Sequence, residues 1–451
     1  MAVNKDISNA FIGQRATVLG LARSGKAVAK MLDSIGCKVF CSDNGNPEGL
    51  EDFKLEYETG GHTQKAFDAD FFVVSPGIPM NSNVLLKAKS INMPLFGELD
   101  FSASMLDCRY AAVTGTSGKS TTTSLIAHML SKAGITSKAV GNIGDAVAGH
   151  VIEEKPDWVL SIEVSSFQCE LMETFHPSAA VFTNLSEDHL NRHGSMEEYG
   201  LLKQKVMRQM TSDDLVVLNG DDSWSGSLSQ KTPAKALKFS SKDPSCDAYF
   251  DGKIIHVKGK PIIEFEKFKL LGNYNTLNLM AASLAVSNFG VDSAEALLSA
   301  VDFESLPHRM QLVGIWNGIR FINDSKATKP ESTNLTLSSL HGPFILILGG
   351  SEKGSDFGAL LPYLSNVRLA IVHGATSGRI VKALKDGGFE RFVQVPTQND
   401  AILLSFEKAE SGDTVLLSPS CASFDQFKDY EHRGRIFIEE VKRLAKERLQ
   451  A

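Results

Sequence analysis

The run Gly115-Thr116-Ser117-Gly118-Lys119-Ser120-Thr121 carries more chemistry for its length than any other stretch of this 451-residue chain. Glycines let backbone N–H groups converge on phosphate oxygens, and a helix that starts at such a loop adds its positive dipole end. Lys119 would neutralise β- and γ-phosphates, and the Ser120 hydroxyl would ligate Mg²⁺. The loop is a shortened form. A standard phosphate loop has glycine where Val113 stands, whereas here the first glycine is Gly115. Two acidic stretches could supply hard oxygens for the metal: Glu163 in Ile162-Glu163-Val164-Ser165-Ser166-Phe167-Gln168, and Asp188 in Thr183-Asn184-Leu185-Ser186-Glu187-Asp188-His189-Leu190. Carboxylates suit Mg²⁺, and His189 adds a nitrogen for a second ion. Taken singly, these residues would be a helix cap, an exposed lysine and a polar surface. Their convergence beside one phosphate loop points to ligation.

The elements that must hold them alternate between strand and helix. Arg109 to Thr114 is a short strand running into the loop, and a helix from Thr122 to Leu130 leaves it. Strands ending at Glu163 and at Asn184 present their carboxyl ends to the loop if the sheet is parallel. An earlier segment has strands Ala16–Leu19, Lys38–Ser42 and Phe71–Val74, with a helix from Lys26 to Leu32. The same alternation predicts a doubly wound parallel sheet there. In Gly20-Leu21-Ala22-Arg23-Ser24-Gly25, Ala22 stands where the second glycine of G-x-G-x-x-G belongs. That loop divides evenly between a dinucleotide site, with Asp43 on a ribose, and a turn that packs helix on sheet. Short strands between Asp243 and Phe268 predict a small antiparallel insert, and a helix from Thr276 to Asn288 follows. The remaining strands are Ile319–Ile322, Phe344–Leu348, Leu369–Val372 and Thr414–Leu417, with a closing helix from Ile436 to Leu449.

Composition narrows the class. Hydrophobic residues make up 43% and charged residues 22%, which excludes an intrinsically disordered chain. The 46 Lys and Arg against 53 Asp and Glu give a net charge of -7, which argues against a general nucleic-acid or membrane-surface binder. The length suits two to four domains. The six cysteines are scattered and read as reduced thiols of a cytoplasmic protein. Met1 to Gln14 lacks the apolar core of a signal peptide. No apolar run approaches the ~20 residues of a membrane helix.

With these residues in place the chain resembles the ATP-dependent Mur ligases over essentially its whole length, and within them the D-glutamate-adding type. The shortened loop, Glu163 to Gln168 and Asn184 to His189 match in family order. They are followed by Gly272-Asn273-Tyr274-Asn275-Thr276-Leu277-Asn278, Leu306-Pro307-His308-Arg309, Asn323-Asp324-Ser325-Lys326-Ala327-Thr328, Gly349 to Phe357, and Leu417 to Phe427. Ser325-Lys326-Ala327-Thr328 and the last motif point to the D-glutamate type. Tyr274 stands where the family usually has His, Asn44-Gly45 where some members have a hydroxyl and an arginine, and Gln311 where an acid is common.

The resemblance implies an α/β protein of three domains. A Rossmann-like N-terminal domain (1–97) would bind the UDP-substrate, a P-loop mononucleotide-binding central domain (98–304) ATP and metal, and a Rossmann-like C-terminal domain (305–451) the amino acid. It implies that Leu21, Ala22, Ser75, Gly77, Asn142 and Ser165 hold the UDP-sugar substrate, UDP-N-acetylmuramoyl-L-alanine. Gly115 to Thr121, Asn275, Asn278, Arg309 and Asp324 would contact the nucleotide. Ser120 and Glu163 would bind one Mg²⁺, and His189 with Lys203 as its carbamate a second. The spacing of Tyr199 and Lys203 matches the family's carbamylated lysine. Lys326, Thr328, Lys353 and Ser423 would position D-glutamate, with Tyr430 nearby. A monomer acting in the cytoplasm on small molecules, with no nucleic-acid partner and no membrane insertion, is the accompanying expectation. The alternatives are another Mur ligase, a folylpolyglutamate synthetase-like ligase, a nicotinamide-dependent oxidoreductase using the Gly20–Gly25 loop, or a catalytically silent nucleotide-binding regulator. The C-terminal motif and the first domain weigh against the folate enzyme. Ala22 and the intact phosphate loop weigh against the oxidoreductase, and the completeness of the phosphate and metal set against the regulator.

Overall fold

The computed structural model describes residues 5–351 and 354–448. Three sheets organise the chain. The first contains β1 (Arg15–Leu19), β2 (Lys38–Ser42), β3 (Glu56–Glu58), β4 (Phe71–Val74) and β5 (Leu95–Gly97), in the order β3-β2-β1-β4-β5. All its pairings are parallel. β1 and β4 are buried almost throughout, as a parallel sheet covered on both faces requires.

The second sheet contains β6 (Arg109–Thr114), β7 (Ser137–Gly141), β8 (Val159–Glu163), β9 (Ala179–Phe182), β10 (Leu215–Asn219), β11 (Lys235–Ser240), β12 (Ala248–Phe250), β13 (Ile254–Val257) and β14 (Lys260–Glu264). Its order is β14-β13-β12-β11-β10-β9-β6-β8-β7. β6 is central, with β8 and β9 on either side. Register places Val113 opposite Glu163 and Thr114 opposite Phe182. The phosphate loop therefore leaves β6 between two strand ends that carry Glu163 and, two residues past β9, Asn184. The predicted antiparallel insert is not a separate body. β12 pairs parallel with β11, and β13 and β14 continue the same sheet as an antiparallel meander.

The third sheet contains β15 (Gln311–Trp316), β16 (Ile319–Asn323), β17 (Phe344–Gly349), β18 (Val367–His373), β19 (Phe392–Gln394) and β20 (Thr414–Leu417), ordered β15-β16-β20-β17-β18-β19. β20, last in the chain, sits between β16 and β17, with Asn323 and Ile347 both opposite Leu417. Three loops widely separated in sequence are thereby brought to the same carboxyl edge. The closing helix runs Tyr430–Arg448, beginning six residues before the predicted start at Ile436. Its buried face includes Arg433, Phe437, Val441 and Leu444.

The chain divides into two compact units. One is Met1–Lys267 with Thr276–Val301 and contains the first two sheets. The other is Phe268–Asn275 with Asp302–Ala451 and contains the third. No helix among the described residues is long and apolar enough to cross a membrane. All six cysteines are free and buried.

Candidate active site

Two glycines set the phosphate loop. Gly115 has φ 138° and Gly118 φ 85°, values that side chains other than glycine rarely adopt. A Cβ at Gly115 would collide with Thr183 Oγ1, and one at Gly118 with Asn278 Oδ1. Gly118 caps the helix Lys119–Lys132, whose buried Ser120 and Thr121 lie in its first turn. The end of β9 is stitched to the loop. Ser117 N donates to Asn184 Oδ1 at 2.9 Å, Asn184 Nδ2 donates to Ser117 O at 3.2 Å, and Thr116 N donates to Asn184 O at 2.9 Å. Thr183 Oγ1 donates to Ser117 O at 2.7 Å. Thr122 Oγ1 donates to Asn278 Oδ1 at 3.2 Å on the opposite side. The sequence pattern included Asn184 but attached no role to it. Its side chain, with the hydroxyl of Thr183, fixes the curvature of the loop.

Lys119 Nζ donates to the carbonyls of Gly115 (3.1 Å) and Thr116 (2.7 Å). Lys203, only 1% exposed, donates from Nζ to the same Gly115 carbonyl at 2.8 Å and lies 4.4 Å from the Tyr199 ring centre. Two cations on one carbonyl repel. Burial, and then the Lys119 charge, pull the Lys203 pKa down to about 7, as desolvation of an ammonium predicts. Tyr199 OH in turn lies 3.4 Å from Thr116 Oγ1. The expected lysine is therefore deep in the site.

Glu163, at the end of β8, is 3% exposed. Its Oε1 accepts from Asn142 Nδ2 at 2.8 Å. Its Oε2 is buried with no hydrogen-bond partner among the described residues. A buried carboxylate oxygen left in that state costs about 1–3 kcal/mol, and a hard cation beside the phosphate loop would satisfy it. The residues fit Mg²⁺. His189 has a left-handed backbone (φ 55°), takes an N–H···Oδ1 bond from its own amide to Asp188 at 3.0 Å, and packs 4.8 Å from the Phe167 ring. No group of three or more His, Cys, Asp or Glu side chains placed to hold a metal occurs among the described residues. Any ion here must also draw on hydroxyl, carbamate, water or phosphate oxygens.

The first sheet contributes a cleft of about 840 Å³ at its carboxyl edge, lined by Gly20, Ala22, Ser75, Gly77, Asn142 and Gln168 among others. Four expected substrate residues, Ala22, Ser75, Gly77 and Asn142, thus share one cavity. Leu21 is fully buried behind it, with its amide donated to Asp43 Oδ2 at 2.6 Å. Asp43 Oδ1 accepts from Gly45 N at 2.7 Å, so this acid braces the glycine loop. Ser165 does not line the cleft. Its amide and hydroxyl donate to Gln168 Oε1, and Gln168 lines the cleft in its place. A residue the sequence did not single out joins the cleft to the His189 segment. Arg192, one helical turn after His189, donates to the carbonyls of Pro76 (3.0 Å) and Ile78 (3.1 Å) and pairs with Glu170 at 2.7 Å. Close by, Glu98 is 2% exposed and its Oε1 has no hydrogen-bond partner among the described residues. Burial pushes its carboxyl up to about 7 against the pull of Arg23.

In the second unit, Asp324 is buried and accepts from Met310 N (3.2 Å), Thr336 Oγ1 (2.7 Å) and Ser418 Oγ (3.0 Å). Burial outweighs those donors and holds its pKa at about 6. Lys326 Nζ lies 5.3 Å from the Tyr430 ring centre, so these two expected residues come together. Thr328 is half-buried on the same loop, and Ser423 is buried on the neighbouring one. Arg309 is half-buried between His308 and Met310, both with left-handed backbones. Asn275 donates to Leu271 O at 2.7 Å. Tyr274, at the family's His position, donates to Met310 Sδ at 2.7 Å. Lys353 lies outside the described residues. The organising group is Arg433, fully buried. It donates to Ser325 Oγ (2.9 Å), Ser325 O (2.8 Å), Cys421 O (3.0 Å) and Ala422 O (3.1 Å). Burial lowers its pKa to about 10. Nothing in its local sequence marks it, beyond a cation on the otherwise apolar face of the closing helix.

Three α/β sheets, with a braced phosphate loop and the buried Glu163 carboxylate at the centre of the second, define an enzyme of phosphoryl chemistry. The model of the Mur ligase middle domain matches residues 113–286, that of the Mur ligase glutamate ligase domain residues 308–421, and that of the MurD N-terminal domain residues 15–84. A relative from Elusimicrobium minutum, named UDP-N-acetylmuramoylalanine–D-glutamate ligase, is 38% identical over 455 residues, covering 97% of this chain and 99% of its own. One of the same name from Bacillus cereus is 33% identical over 444 residues, covering 96% and 98%. Among solved structures, UDP-N-acetylmuramate-alanine ligase MurC from Thermotoga maritima superposes with a TM-score of 0.65 at 21% identity, covering 95% of this chain and 99% of that one. MurF from Acinetobacter baumannii gives 0.60 at 14% identity, covering 97% and 92%. These two share the fold. The chain belongs to the Mur ligase family and is a ligase.

Proposed function

We propose that this ligase joins D-glutamate to UDP-N-acetylmuramoyl-L-alanine at the expense of ATP, in the synthesis of a peptidoglycan precursor. The observation that carries the reading is the pairing of the braced phosphate loop with Glu163, whose buried Oε2 lacks a partner beside it. The names of the full-length relatives supply the substrates. The L-alanyl carboxylate of the nucleotide substrate attacks the γ-phosphorus, and ADP leaves. The D-glutamate amine then attacks the carbonyl carbon of the acyl phosphate, loses a proton, and phosphate departs. Loop amides other than those of Thr116 and Ser117, which Asn184 takes, and the Lys119 ammonium hold the phosphates against the charge that develops on transfer. Mg²⁺, when bound through Ser120 and Glu163, neutralises phosphate charge. Ala22, Ser75, Gly77 and Asn142 hold the UDP-sugar end. Lys326, Thr328, Ser423 and Tyr430 receive D-glutamate, whose two carboxylates call for cations and hydroxyls. The enzyme acts in the cytoplasm and as a monomer.

The test is phosphate release from ATP with UDP-N-acetylmuramoyl-L-alanine across a panel of amino acids. Release should require D-glutamate, with L-glutamate, L-lysine and meso-diaminopimelate near background. Comparable turnover with L-lysine or diaminopimelate would reassign the chain within the family.

Lys203 is the site of a carbamate in this reading. Supporting it are the depth of the amine and its position, shared with Lys119, on the Gly115 carbonyl. Addition of CO2 to the neutral amine, with loss of one proton to solvent, would replace a repelling cation with an anionic carbamate, whose oxygen with His189 would hold a second metal. Lys203→Ala should lose nearly all activity, and added formate or acetate should partly restore it. Full activity of the variant without any carboxylate would remove the carbamate from the mechanism.

A further inference from the structure

We propose that His62 is a specificity residue of the first-sheet cleft, where its Nε2 accepts the N3–H of a uracil ring. The assignment rests on the uridine-nucleotide reading of that cleft. His62 lines it together with Asp43 and Asn44, just past the carboxyl end of β2. Its Nδ1 lies 2.7 Å from the hydroxyl of Ser42, the fully buried last residue of β2. The same hydroxyl donates to Glu58 Oε1 at 2.7 Å.

The positions of the protons follow from this chain of contacts. Glu58 Oε1 also accepts from Thr63 N at 2.9 Å, and its Oε2 from Thr63 Oγ1 at 2.6 Å. Burial raises the Glu58 carboxyl, but the Thr63 and Ser42 donors outweigh it and leave the pKa below the ordinary carboxylate value. An ionised carboxylate only accepts. The one Ser42 proton therefore points at Glu58, and a Ser42 lone pair faces the imidazole. The ring must carry its proton on Nδ1. Burial holds its pKa below the ordinary histidine value despite Glu58 and Asp43, so the ring is neutral and Nε2 is a bare acceptor. None of the described residues donates to it. Asp43, the acid beside it, already has both oxygens on the amides of Leu21 and Gly45. His62 is thus an acceptor with a fixed tautomer in the cleft wall. Uracil offers an N3–H donor, whereas cytosine offers a lone pair at N3. A fixed acceptor pairs with the first and opposes the second.

Calorimetric binding of UDP and of CDP to the full-length protein tests this. Wild type should prefer UDP by about 10–100-fold, the range of one well-placed hydrogen bond set against an unpaired acceptor. His62→Phe should bring the ratio within about threefold. His62→Gln, with a carbonyl at similar reach, should keep most of the preference. Ser42→Ala, which releases the tautomer, should lower it. Because each ratio compares two ligands on one protein sample, a general loss of fold cancels. In ¹⁵N spectra of wild type the His62 ring should show its proton on Nδ1. A His62→Phe protein with the wild-type ratio, a wild-type protein without preference or without binding, or a ring protonated on Nε2 would each overturn the assignment. UDP preference without ligase turnover would overturn the proposed function and leave this assignment standing.

Discussion

At the phosphate loop the backbone forms the site and side chains brace it. Asn184, Thr183 and Asn278 surround Gly115 and Gly118, and the loop they hold is backbone amides and one lysine. At the carboxyl edge of the third sheet the relation is reversed. Lys326, Thr328 and Ser423 are side chains on loops, and Arg433 braces the backbone beneath them from a helix, reaching Ser325 108 positions away. The first arrangement is local and survives as a motif. The second depends on strand order, because β20 must slide between β16 and β17 before one guanidinium can reach both loops. Damage to the first should therefore appear in the chemistry, and damage to the second in stability and amino-acid binding.

The largest expected effect is at Lys119. Lys119→Ala should cut phosphate release by several orders of magnitude while leaving the unfolding transition in place, since it removes charge from the developing phosphate. Activity within about tenfold of wild type, or roughly 1.4 kcal/mol of barrier, would make the lysine peripheral. Arg433→Met tests the opposite arrangement. It leaves the buried carbonyls of Ser325 and Cys421 without the guanidinium that serves them, while Ala422 O keeps the Ser351 amide, and should destabilise the protein by about 2–4 kcal/mol in urea unfolding. Where the fold survives, it should raise KM for D-glutamate more than KM for ATP. An equal rise in both would remove the contrast.

Glu98 gives a stability effect of intermediate size. Its folded pKa is raised from 4.5 to about 7. Between those values the folded state keeps a proton that the unfolded chain releases, so stability is full below about pH 4.5 and falls as pH rises toward 7. Glu98→Gln should flatten that slope and be more stable than wild type at pH 8 by roughly 2–3 kcal/mol. Parallel pH profiles would count against a buried, protonated acid. The smallest effect is at Asn184. Asn184→Ala should loosen the loop and lower kcat/KM for ATP by about tenfold, with little change in KM for D-glutamate, the loss of one hydrogen-bonded brace being worth roughly 1–1.5 kcal/mol.

How much of this was legible in the sequence follows the same division. Gly115, Gly118 and Lys119 announce themselves because their spacing is the chemistry. Glu163 was legible because a strand pattern ends on it. Asn184, Arg192 and Arg433 were not, because each acts across a distance that only the sheet order creates. The strands from Ala248 to Glu264 were recognisable as strands, but whether they formed a separate hairpin or extended the central sheet depended on the β11–β12 pairing, which leaves no periodic mark. The early start of the closing helix at Tyr430 was hidden because its first turns bury an arginine where periodicity looks for an apolar residue. His62 carried no motif at all. Its tautomer is set by Ser42 and Glu58, which belong to neighbouring strands.

The eight residues Phe268–Asn275 belong to the same unit as the third sheet, although they come before Thr276–Val301 of the other unit. Leu271 and Tyr274 pack on the core of the third sheet, while Asn278, three residues on from Asn275, bonds to Thr122 in the helix that follows the phosphate loop. The chain thus changes unit three times in succession, and neither unit is one unbroken stretch of gene. During synthesis the unit that carries the phosphate loop cannot complete itself when Lys267 emerges. It waits for the segment ending at Val301, by which time a piece of the next unit has already left the ribosome and has nothing yet to pack against. A gene cut between Glu304 and Ser305, where the sequence suggests a domain boundary, would leave the downstream fragment without part of its own core.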